Sequence, residues 1–322
     1  MNIVKFLSKT LFIPETEVAS FINSAPHRYK QYPIPKRNGK GVRIIAQPAR
    51  ELKVLQMLAL REIESFLPIH PAAMAYRKGI GIKENARMHA GNTYLLKMDF
   101  KDFFHSFTPA DFIKHYFKHV GATDMFSVRM LSRLFFWSQK HSPSLKLSIG
   151  APSSPLLSNT LMYEFDCRMA VICMGKGVAY TRYADDLTFT SNEKGALFVF
   201  PELVAQVCAE INYPRLMINA EKTVFSSKAK NRHVTGLTIN NEGRISLGRE
   251  RKRYIKSRVF KCLEGELNAE EKKSLAGLVS YTRHVEPSFF ASLVKKYGVK
   301  EVYDILSWDD AKSIYPLDER LG

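Results

Sequence analysis

Apolar and polar positions follow two different periods along the chain, so the sequence predicts both helices and strands. A helical period predicts amphipathic helices over residues 53–67, 108–120, 153–172, 195–211 and 249–261. Shorter apolar or alternating stretches predict strands at residues 93–100, 216–220 and 233–240, and a hairpin of two strands at 177–190. Thr108, followed by Pro109 and Asp111, predicts the capped start of one helix.

The order of these elements predicts the fold class. Strands do not alternate regularly with helices, and the sequence contains no Walker A loop, no G-x-G-x-x-G motif and no repeat of about 20–50 residues. We therefore expect an α+β protein, with helices on one face of an antiparallel sheet and a helical part from about Gly248 onward.

Net charge narrows the class of partner. The 322 residues include 48 Lys and Arg but 31 Asp and Glu, a formal net charge of +17, which favours a polyanion such as nucleic acid. No apolar run is long enough to span a bilayer, and the N-terminus lacks a secretory pattern, so we expect no membrane partner. The four cysteines form no C-x-x-C pair and predict buried thiols in a cytoplasmic protein.

Two segments are strongly basic. No acidic residue occurs from Val18 to Arg50, and Asn38-Gly39 within this stretch predicts a hairpin that contacts phosphate; a solvated hairpin is the alternative. The second segment, 248–263, predicts a helix that buries an apolar stripe of Ile255, Val259 and Cys262/Leu263 and carries most of its basic side chains elsewhere.

Three acidic residues form the candidate chemical centre. Asp185 and Asp186 lie at the turn of the apolar hairpin, and Asp99 lies where another strand ends. Adjacent carboxylates repel by roughly 1 kcal/mol in water and by about 4 kcal/mol at an effective dielectric constant of 20. A plain aspartate turn is one interpretation. The other is a site for Mg²⁺, which prefers oxygen ligands and supports phosphoryl transfer when two ions are bound.

Six segments together resemble the motifs of reverse transcriptases. They are, in chain order, IPKRNGKGVRIIAQP (34–48), LLKMDFKDFF (95–104), GAPSSPLLSN (150–159), YADD (183–186), INAEKT (218–223) and HVTGL (233–237). NARMH (85–89) and the V-T-G within HVTGL are similar to elements of the retron subgroup. The resemblance extends over nearly the whole chain and implies a right-hand polymerase, with fingers at 1–95, palm at 96–247 and thumb at 248–322.

The resemblance implies catalytic roles at matching positions. Asp99, Asp185 and Asp186 are expected to be the acids that hold two Mg²⁺ ions, with the backbone carbonyl of Phe100 as a minor ligand. Lys222 matches the lysine proposed to protonate the leaving pyrophosphate, and a solvated lysine is the alternative.

The resemblance also implies a nucleotide site. Lys36 and Arg43 match residues that hold the triphosphate, and Gly150 opens the loop beneath the nascent base pair. Phe104 matches the ring that excludes a 2′-hydroxyl; its alternative is a core position. Ile149 stands where the family usually has Gln, a departure that affects nucleotide affinity or fidelity and removes no metal ligand.

Primer and RNA contacts are expected in the middle and the C-terminal third of the chain. The candidates are Tyr183, Asn85, His89, Val234, Thr235, Gly236, Arg251, Arg253, Tyr254, Lys256 and Arg258. For Asn85 and His89 the alternative is a capping or core hydrogen bond, and for the basic helix it is a solvated face that holds any duplex.

The function implied by the resemblance is an RNA-directed DNA polymerase. It would use dNTPs to copy a structured non-coding RNA into a branched RNA–DNA hybrid (msDNA). The expected partners are that RNA and its DNA product, a separate effector protein in anti-phage defence, and a host ribonuclease H. The alternatives are a reverse transcriptase of intron or abortive-infection type, and a non-catalytic RNA-binding protein on a polymerase fold; the three intact acids argue against the latter.

Overall fold

The computed structural model describes residues 2–35, 41–121, 124–139 and 142–308. Its α-helices are α1 (Ile3–Leu11), α2 (Glu15–Ser24), α3 (Arg50–Ile63), α4 (Ile82–Met88), α5 (Pro109–Val120), α6 (Met125–Phe135), α7 (Ser154–Leu161), α8 (Tyr163–Gly175), α9 (Phe200–Glu210), α10 (Arg249–Leu263), α11 (Ala269–Val285), α12 (Pro287–Tyr297) and α13 (Val299–Ser307). Short 3-10 turns occur at Ala25–His27, Glu64–Phe66, Phe103–Ser106 and Ala220–Lys222.

The strands form small antiparallel sheets. They are β1 (Tyr29–Pro35), β2 (Val42–Pro48), β3 (Tyr94–Lys101), β4 (Trp137–Ser138), β5 (Leu145–Lys146), β6 (Ala179–Tyr183), β7 (Asp186–Ser191), β8 (Met217–Ile218), β9 (Val224–Ser227), β10 (Arg232–Val234), β11 (Leu237–Ile239) and β12 (Ile245–Ser246). The largest sheet has the order β6-β7-β3-β8, and β9 also pairs with β3. The prediction of an α+β fold is confirmed.

Residue contacts divide the chain into two units, each made of separated segments. The first unit comprises the chain up to Gly81 and Thr93–Phe225, and includes the largest sheet. The second comprises Ile82–Asn92 and the chain from Ser226 onward, and includes α4, the sheet β10-β11-β12 and α10 to α13. The predicted boundaries of fingers, palm and thumb concern functional subdomains and stay a prediction.

The largest sheet has one face in the core. Leu96 and Met98 of β3 pair with Phe189 and Leu187 of β7, and all four side chains are buried. Residues opposite each other across an antiparallel pair share a face, so these four define the core face. Side chains alternate along a strand, and this alternation places Asp99 on the opposite face.

The predicted helices differ from the observed ones mainly at their ends. The helix predicted at 53–67 is α3, which begins directly after Ala49 and ends earlier in a 3-10 turn. The capped start of α5 is confirmed, because Thr108 Oγ1 accepts a hydrogen bond from the Asp111 amide and Asp111 accepts one from the Thr108 amide. The helix predicted at 153–172 is divided at Met162 into α7 and α8. Apolar periodicity does not reveal this break, because both halves bury large apolar side chains.

No helix in the described ranges is long and apolar enough to cross a membrane.

Candidate active site

Strand register brings the three predicted acids together. Asp99 of β3 lies opposite Asp186 of β7. Tyr183 pairs with Asp186 across the hairpin, so Ala184 and Asp185 form a two-residue turn. The amide of Phe100 donates a hydrogen bond of 3.2 Å to the carbonyl of Asp185, which ties the turn to the end of β3. The site is therefore built by the sheet itself and not by a long loop.

The turn has a strained backbone at Ala184. Two-residue hairpin turns require a positive φ at the first position, and Ala184 has φ 57°. This left-handed conformation costs a residue other than glycine roughly 1–2 kcal/mol. Arg182 Nη1 donates a hydrogen bond of 3.1 Å to the Ala184 carbonyl and thereby supports the turn.

The acids repel one another in a mostly buried setting. Burial, together with the charges of Asp186 and Asp99, raises the pKa of Asp185 to about 6. Burial also raises the pKa of Asp186, and Asp99 acts in the same direction, while the neighbouring lysines Lys97 and Lys222 oppose the shift. The site therefore concentrates negative charge that the lysines only partly balance.

Lys222 and Asn219 hold the carboxylate of Asp99. Lys222 Nζ donates to Asp99 Oδ2 at 2.8 Å, and Asn219 Nδ2 donates to Asp99 Oδ1 at 3.2 Å. Burial alone would lower the pKa of Lys222, but the hydrogen bond to Asp99 and the attraction of the three carboxylates raise it. The sequence motif INAEKT contains both side chains, yet only Lys222 was predicted to act at the site.

The donor chemistry of these acids fits a divalent cation, although the side chains are not arranged as a ligand cluster. Over residues 2–35, 41–121, 124–139 and 142–308, no group of three or more His, Cys, Asp or Glu side chains is placed to hold a metal ion. Lys222 pairs with one Asp99 oxygen in this structure. Carboxylate oxygens are the ligands that Mg²⁺ prefers, and a bound cation would relieve the repulsion that raises the pKa of Asp185.

A cavity of about 400 Å³ in the first unit contains two of the predicted nucleotide residues, Phe104 and Gly150. Ile149, the departure from the family pattern, also lines it. Sequence reasoning missed three further lining residues, Lys53, Tyr76 and Ser148. None of them belongs to a motif that the sequence singled out.

Gly150 joins this cavity to the basic hairpin. Its φ is 126°, and a Cβ atom there would lie 3.2 Å from both the Ala46 carbonyl oxygen and Ile45 Cγ2. The Ala46 amide donates to the Ile149 carbonyl at 3.0 Å. Glycine is therefore required where the loop meets β2. Arg43 is exposed on β2, whereas Lys36 and the Asn38-Gly39 turn lie outside the described residues.

Comparison with known proteins decides the family. The family described as reverse transcriptase (RNA-dependent DNA polymerase) matches residues 34–239. The chain belongs to the reverse transcriptase family. It is 40% identical over 299 residues to the Retron Ec83 reverse transcriptase of Escherichia coli, covering 92% of this chain and 95% of that protein. It is 31% identical over 291 residues to the Retron Ec73 reverse transcriptase of Escherichia coli, covering 87% and 90%.

Among solved structures, a telomerase from Candida albicans gives a TM-score of 0.47 at 14% identity, covering 88% of this chain and 60% of that one. The relatives confirm the predicted retron group and RNA-directed DNA polymerase activity. Membership of the reverse transcriptase family confirms the predicted polymerase fold class. Reverse transcriptases use divalent metal ions and act on RNA templates and DNA products.

The two retron motifs of this reverse transcriptase meet inside its second unit. Asn85 Nδ2 donates to Thr235 Oγ1 at 3.4 Å, and Thr235 Oγ1 donates to the Ile82 carbonyl at 3.3 Å. Val234 is buried, and Thr235 and Gly236 form the turn between β10 and β11.

Asn85 and His89 are both 0% exposed, and burial lowers the pKa of His89 to about 3. Their geometry matches the alternative of core hydrogen bonding, because neither side chain reaches the surface. Asn85 contacts this turn through Thr235, and direct contact of Asn85 and His89 with RNA stays a prediction.

Helix α10 presents most of its predicted RNA-binding residues to solvent. Ile255 and Val259 are buried, as predicted for the apolar stripe. The prediction is wrong at the end of the helix, where Leu263 is 41% exposed and Cys262 is half-buried. The exposed candidates on the helix are Arg251, Arg253, Tyr254 and Lys256. Arg258 differs, because it is half-buried and its Nη2 lies 3.1 Å from Glu271 Oε1. Tyr183 is half-buried in the first unit beside the acids.

A buried ion pair lies beneath the β6–β7 hairpin of this reverse transcriptase, on the core face. Arg182 and Asp166 are both 0% exposed, and Arg182 Nη2 lies 2.6 Å from Asp166 Oδ2. Arg182 Nε donates to Asp166 Oδ1 at 2.9 Å, and the Tyr180 hydroxyl donates to the same oxygen at 2.8 Å. The sequence contained one sign of this pair: Arg182 lies in an apolar strand, on the same face as Tyr180, so a buried partner could be expected. Its partner on α8 could not be read from sequence.

Replacing Arg182 with Met should destabilise the protein by about 3–5 kcal/mol, because Asp166 would remain buried and charged without a partner. Urea unfolding measures this loss. Arg168→Met is the matched control, since Arg168 is on the same helix as Asp166 but forms exposed ion pairs with Glu164 and Glu210, which are worth about 1 kcal/mol or less. Equal losses in the two variants would contradict the prediction.

Replacing Asp185 with Asn should stabilise the metal-free protein at pH 8. The pKa of Asp185 in the folded protein is raised to about 6. The folded state is therefore relatively more stable when Asp185 is protonated, and this extra stability is lost as the pH rises through 6. At about 1.36 kcal/mol per pKa unit, the variant should have a free energy of unfolding about 1–3 kcal/mol higher than wild type at pH 8. This difference should vanish near pH 4. Unfolding in the presence of a chelator measures it, with the exposed Asp102→Asn as control. A gain that does not change with pH would contradict this origin.

Proposed function

We propose that this reverse transcriptase copies a structured non-coding RNA into DNA by two-metal nucleotidyl transfer. The observation that carries the proposal is the strand register that sets Asp99 opposite Asp186 and ties Asp185 to the end of β3. Three carboxylates held together on the open face of a sheet have little structural value, because they repel one another. They suit a cation and a phosphate substrate.

Asp99, Asp185 and Asp186 would hold two Mg²⁺ ions, with the Phe100 carbonyl as a minor ligand. Bound there, the ions would lower the pKa of the primer hydroxyl and balance the charge of the triphosphate. The primer hydroxyl group would lose its proton to solvent, its oxygen would bond to the α-phosphorus of the dNTP, and the bond from that phosphorus to pyrophosphate would break. Tyr183, which pairs with Asp186, would support the primer end.

Lys222 would change partners during this reaction. In the structure its ammonium donates to Asp99 Oδ2, one of the oxygens that a cation would take. Release from Asp99 would free the ammonium group to protonate the leaving pyrophosphate. The carboxylates raise the pKa of Lys222, so its amine carries the proton at neutral pH before the reaction.

The cavity beside Phe104 and Gly150 would bind the sugar and base of the incoming nucleotide. Arg43, exposed on β2, and Lys36 would hold the triphosphate, because guanidinium and ammonium groups both suit phosphate. The apolar side chain of Ile149 in this cavity offers no hydrogen bond to the nucleotide.

The RNA partner would be a structured transcript, and the product a branched RNA–DNA hybrid (msDNA). The retron relatives support this proposal. We also propose a separate effector protein in anti-phage defence, template removal by a host ribonuclease H, and a cytoplasmic location. The four cysteines are free thiols in the structure, which fits a reducing compartment.

Replacing Asp99, Asp185 or Asp186 singly with Asn should lower Mg²⁺-dependent DNA synthesis by about 10³-fold or more, since each loss removes several kcal/mol of transition-state stabilisation. Primer extension with radiolabelled dNTPs measures the rate. RNA affinity should stay within about twofold of wild type, because basic surfaces supply it.

Asp102→Asn is the matched control, because Asp102 is an exposed acid three residues from Asp99. It should retain synthesis. Full activity in a variant with both Asp185→Asn and Asp186→Asn would refute the two-metal mechanism.

Replacing the exposed Arg251, Arg253 and Lys256 of α10 with Ala tests how the RNA is recognised. If α10 reads RNA shape, affinity for the cognate RNA should fall more than affinity for an unrelated duplex of equal length. Binding is measured against salt concentration, and each lost phosphate contact should reduce the slope by up to about 0.9, the B-DNA value.

Lys295, Lys296 and Lys300, exposed on α12 and α13, provide a control that removes the same charge from the same unit. Their replacement with Ala should affect both RNAs equally. If the α10 variant also loses affinity for the cognate RNA and for the unrelated duplex to the same extent, α10 only attracts phosphate.

A further inference from the structure

Tyr76 lies at the nucleotide cavity, although no sequence motif indicated it. Its ring and that of Phe104 both line the cavity, with centroids 6.5 Å apart and planes tilted by 54°. We propose that Tyr76 is a second specificity-determining residue for the sugar of the incoming nucleotide, and that its ring and Phe104 form one wall against a 2′-hydroxyl. The inference rests on the proposed role of Phe104.

The surroundings of Tyr76 match a position beside the sugar. Asp185, Tyr183 and Arg43 are all close enough to influence its hydroxyl electrostatically. These residues are the proposed metal ligand, primer support and triphosphate contact. Tyr76 thus lies in the same electrostatic environment as three groups that the incoming nucleotide would meet.

A purely structural role for the Tyr76 ring does not fit its exposure. The residue is 51% exposed, so its ring contributes little apolar burial to the core. The same residue has φ 60°, a conformation that bulky residues seldom adopt and that costs roughly 1–3 kcal/mol. A strained residue that leaves its ring half in solvent at a cavity is most simply explained by contact with a ligand.

The strained backbone is fixed by the catalytic hairpin and by α7. The Arg182 amide donates to the Ala72 carbonyl at 2.7 Å, and the Met74 amide donates to the Arg182 carbonyl at 2.8 Å. Asn159 Nδ2 donates to the Ala75 carbonyl at 2.8 Å. The strand that ends at the acids therefore also sets the position of Tyr76.

Two aromatic rings, one from the neighbouring residue and one from a distant segment, contact Phe104 in the proposed wall. Phe104 packs edge-to-face against Phe103, with centroids 5.4 Å apart, and also contacts Tyr76. A single ring can turn away from a substrate about its side-chain bonds, whereas a ring packed between two others keeps its rotamer. Tyr76 would thus both contact the sugar and keep Phe104 in place.

The test is the ratio of kcat/KM for dCTP to kcat/KM for CTP on one primer and template. Tyr76→Asn should lower this ratio by about tenfold, the scale of a lost steric contact in a pocket. Asn tolerates a positive φ, and Tyr76→Gly is the second variant, because glycine adopts this backbone without strain. The ratio does not depend on the fraction of enzyme that is folded.

Two controls separate the ring from its hydroxyl and from general effects. Tyr76→Phe keeps the ring and should keep the ratio within about twofold. Phe126→Asn removes an aromatic ring that is also 51% exposed, on α6, and should leave the ratio unchanged. A ratio altered equally by Phe126→Asn would overturn the proposal.

Phe104→Ala distinguishes the failure of this inference from that of the proposed function. If Phe104→Ala lowers the ratio but neither Tyr76→Asn nor Tyr76→Gly does, the role of Tyr76 is refuted and the role of Phe104 stands. If Phe104→Ala also leaves the ratio unchanged, both roles are refuted. A shared wall predicts that Tyr76→Asn with Phe104→Ala lowers the ratio no further than Phe104→Ala alone; losses that multiply would refute the shared wall.

Discussion

Repulsion among three carboxylates is the constraint on which the rest of the first unit depends. The sheet holds Asp99 opposite Asp186 and fixes Asp185 through the Phe100 amide, so the acids cannot separate without breaking strand pairing. The structure balances part of the charge with Lys222. Burial, together with the charge of the other two acids, raises the pKa of Asp185, and the cost of assembling the acids is met during folding.

The buried pair of Arg182 and Asp166, on the core face, stabilises the hairpin against this repulsion. Arg182 contacts Asp166, the Ala184 carbonyl and the backbone of Ala72 and Met74. One side chain and its own backbone therefore support the strained turn and position the segment that carries Tyr76. Broken pairs of this kind are expensive, since the remaining charge is buried, so the hairpin is held firmly where the chemistry requires precision.

The sequence predicted the fold class and the three acids better than it predicted the tertiary contacts that hold the acids in place. Periodicity and turn chemistry gave the hairpin, β3 and the capped start of α5, because these features are local. The break at Met162 and the pairing of Arg182 with Asp166 depend on tertiary packing, which no local pattern encodes. Asn85 and His89 show the reverse case: their motif was visible, yet their burial and the contact of Asn85 with the β10–β11 turn could not be inferred from spacing.

The path of the chain between the two units has a consequence for synthesis and truncation. Ile82–Asn92 belongs to the second unit, although the flanking segments belong to the first. During synthesis, α4 leaves the ribosome well before the β10–β11 turn that buries Asn85. A fragment that ends at Phe225 would thus contain the whole first unit together with a helix whose buried Asn85 has lost its contact with Thr235. The C-terminal third is consequently needed to complete a structure that begins at residue 82.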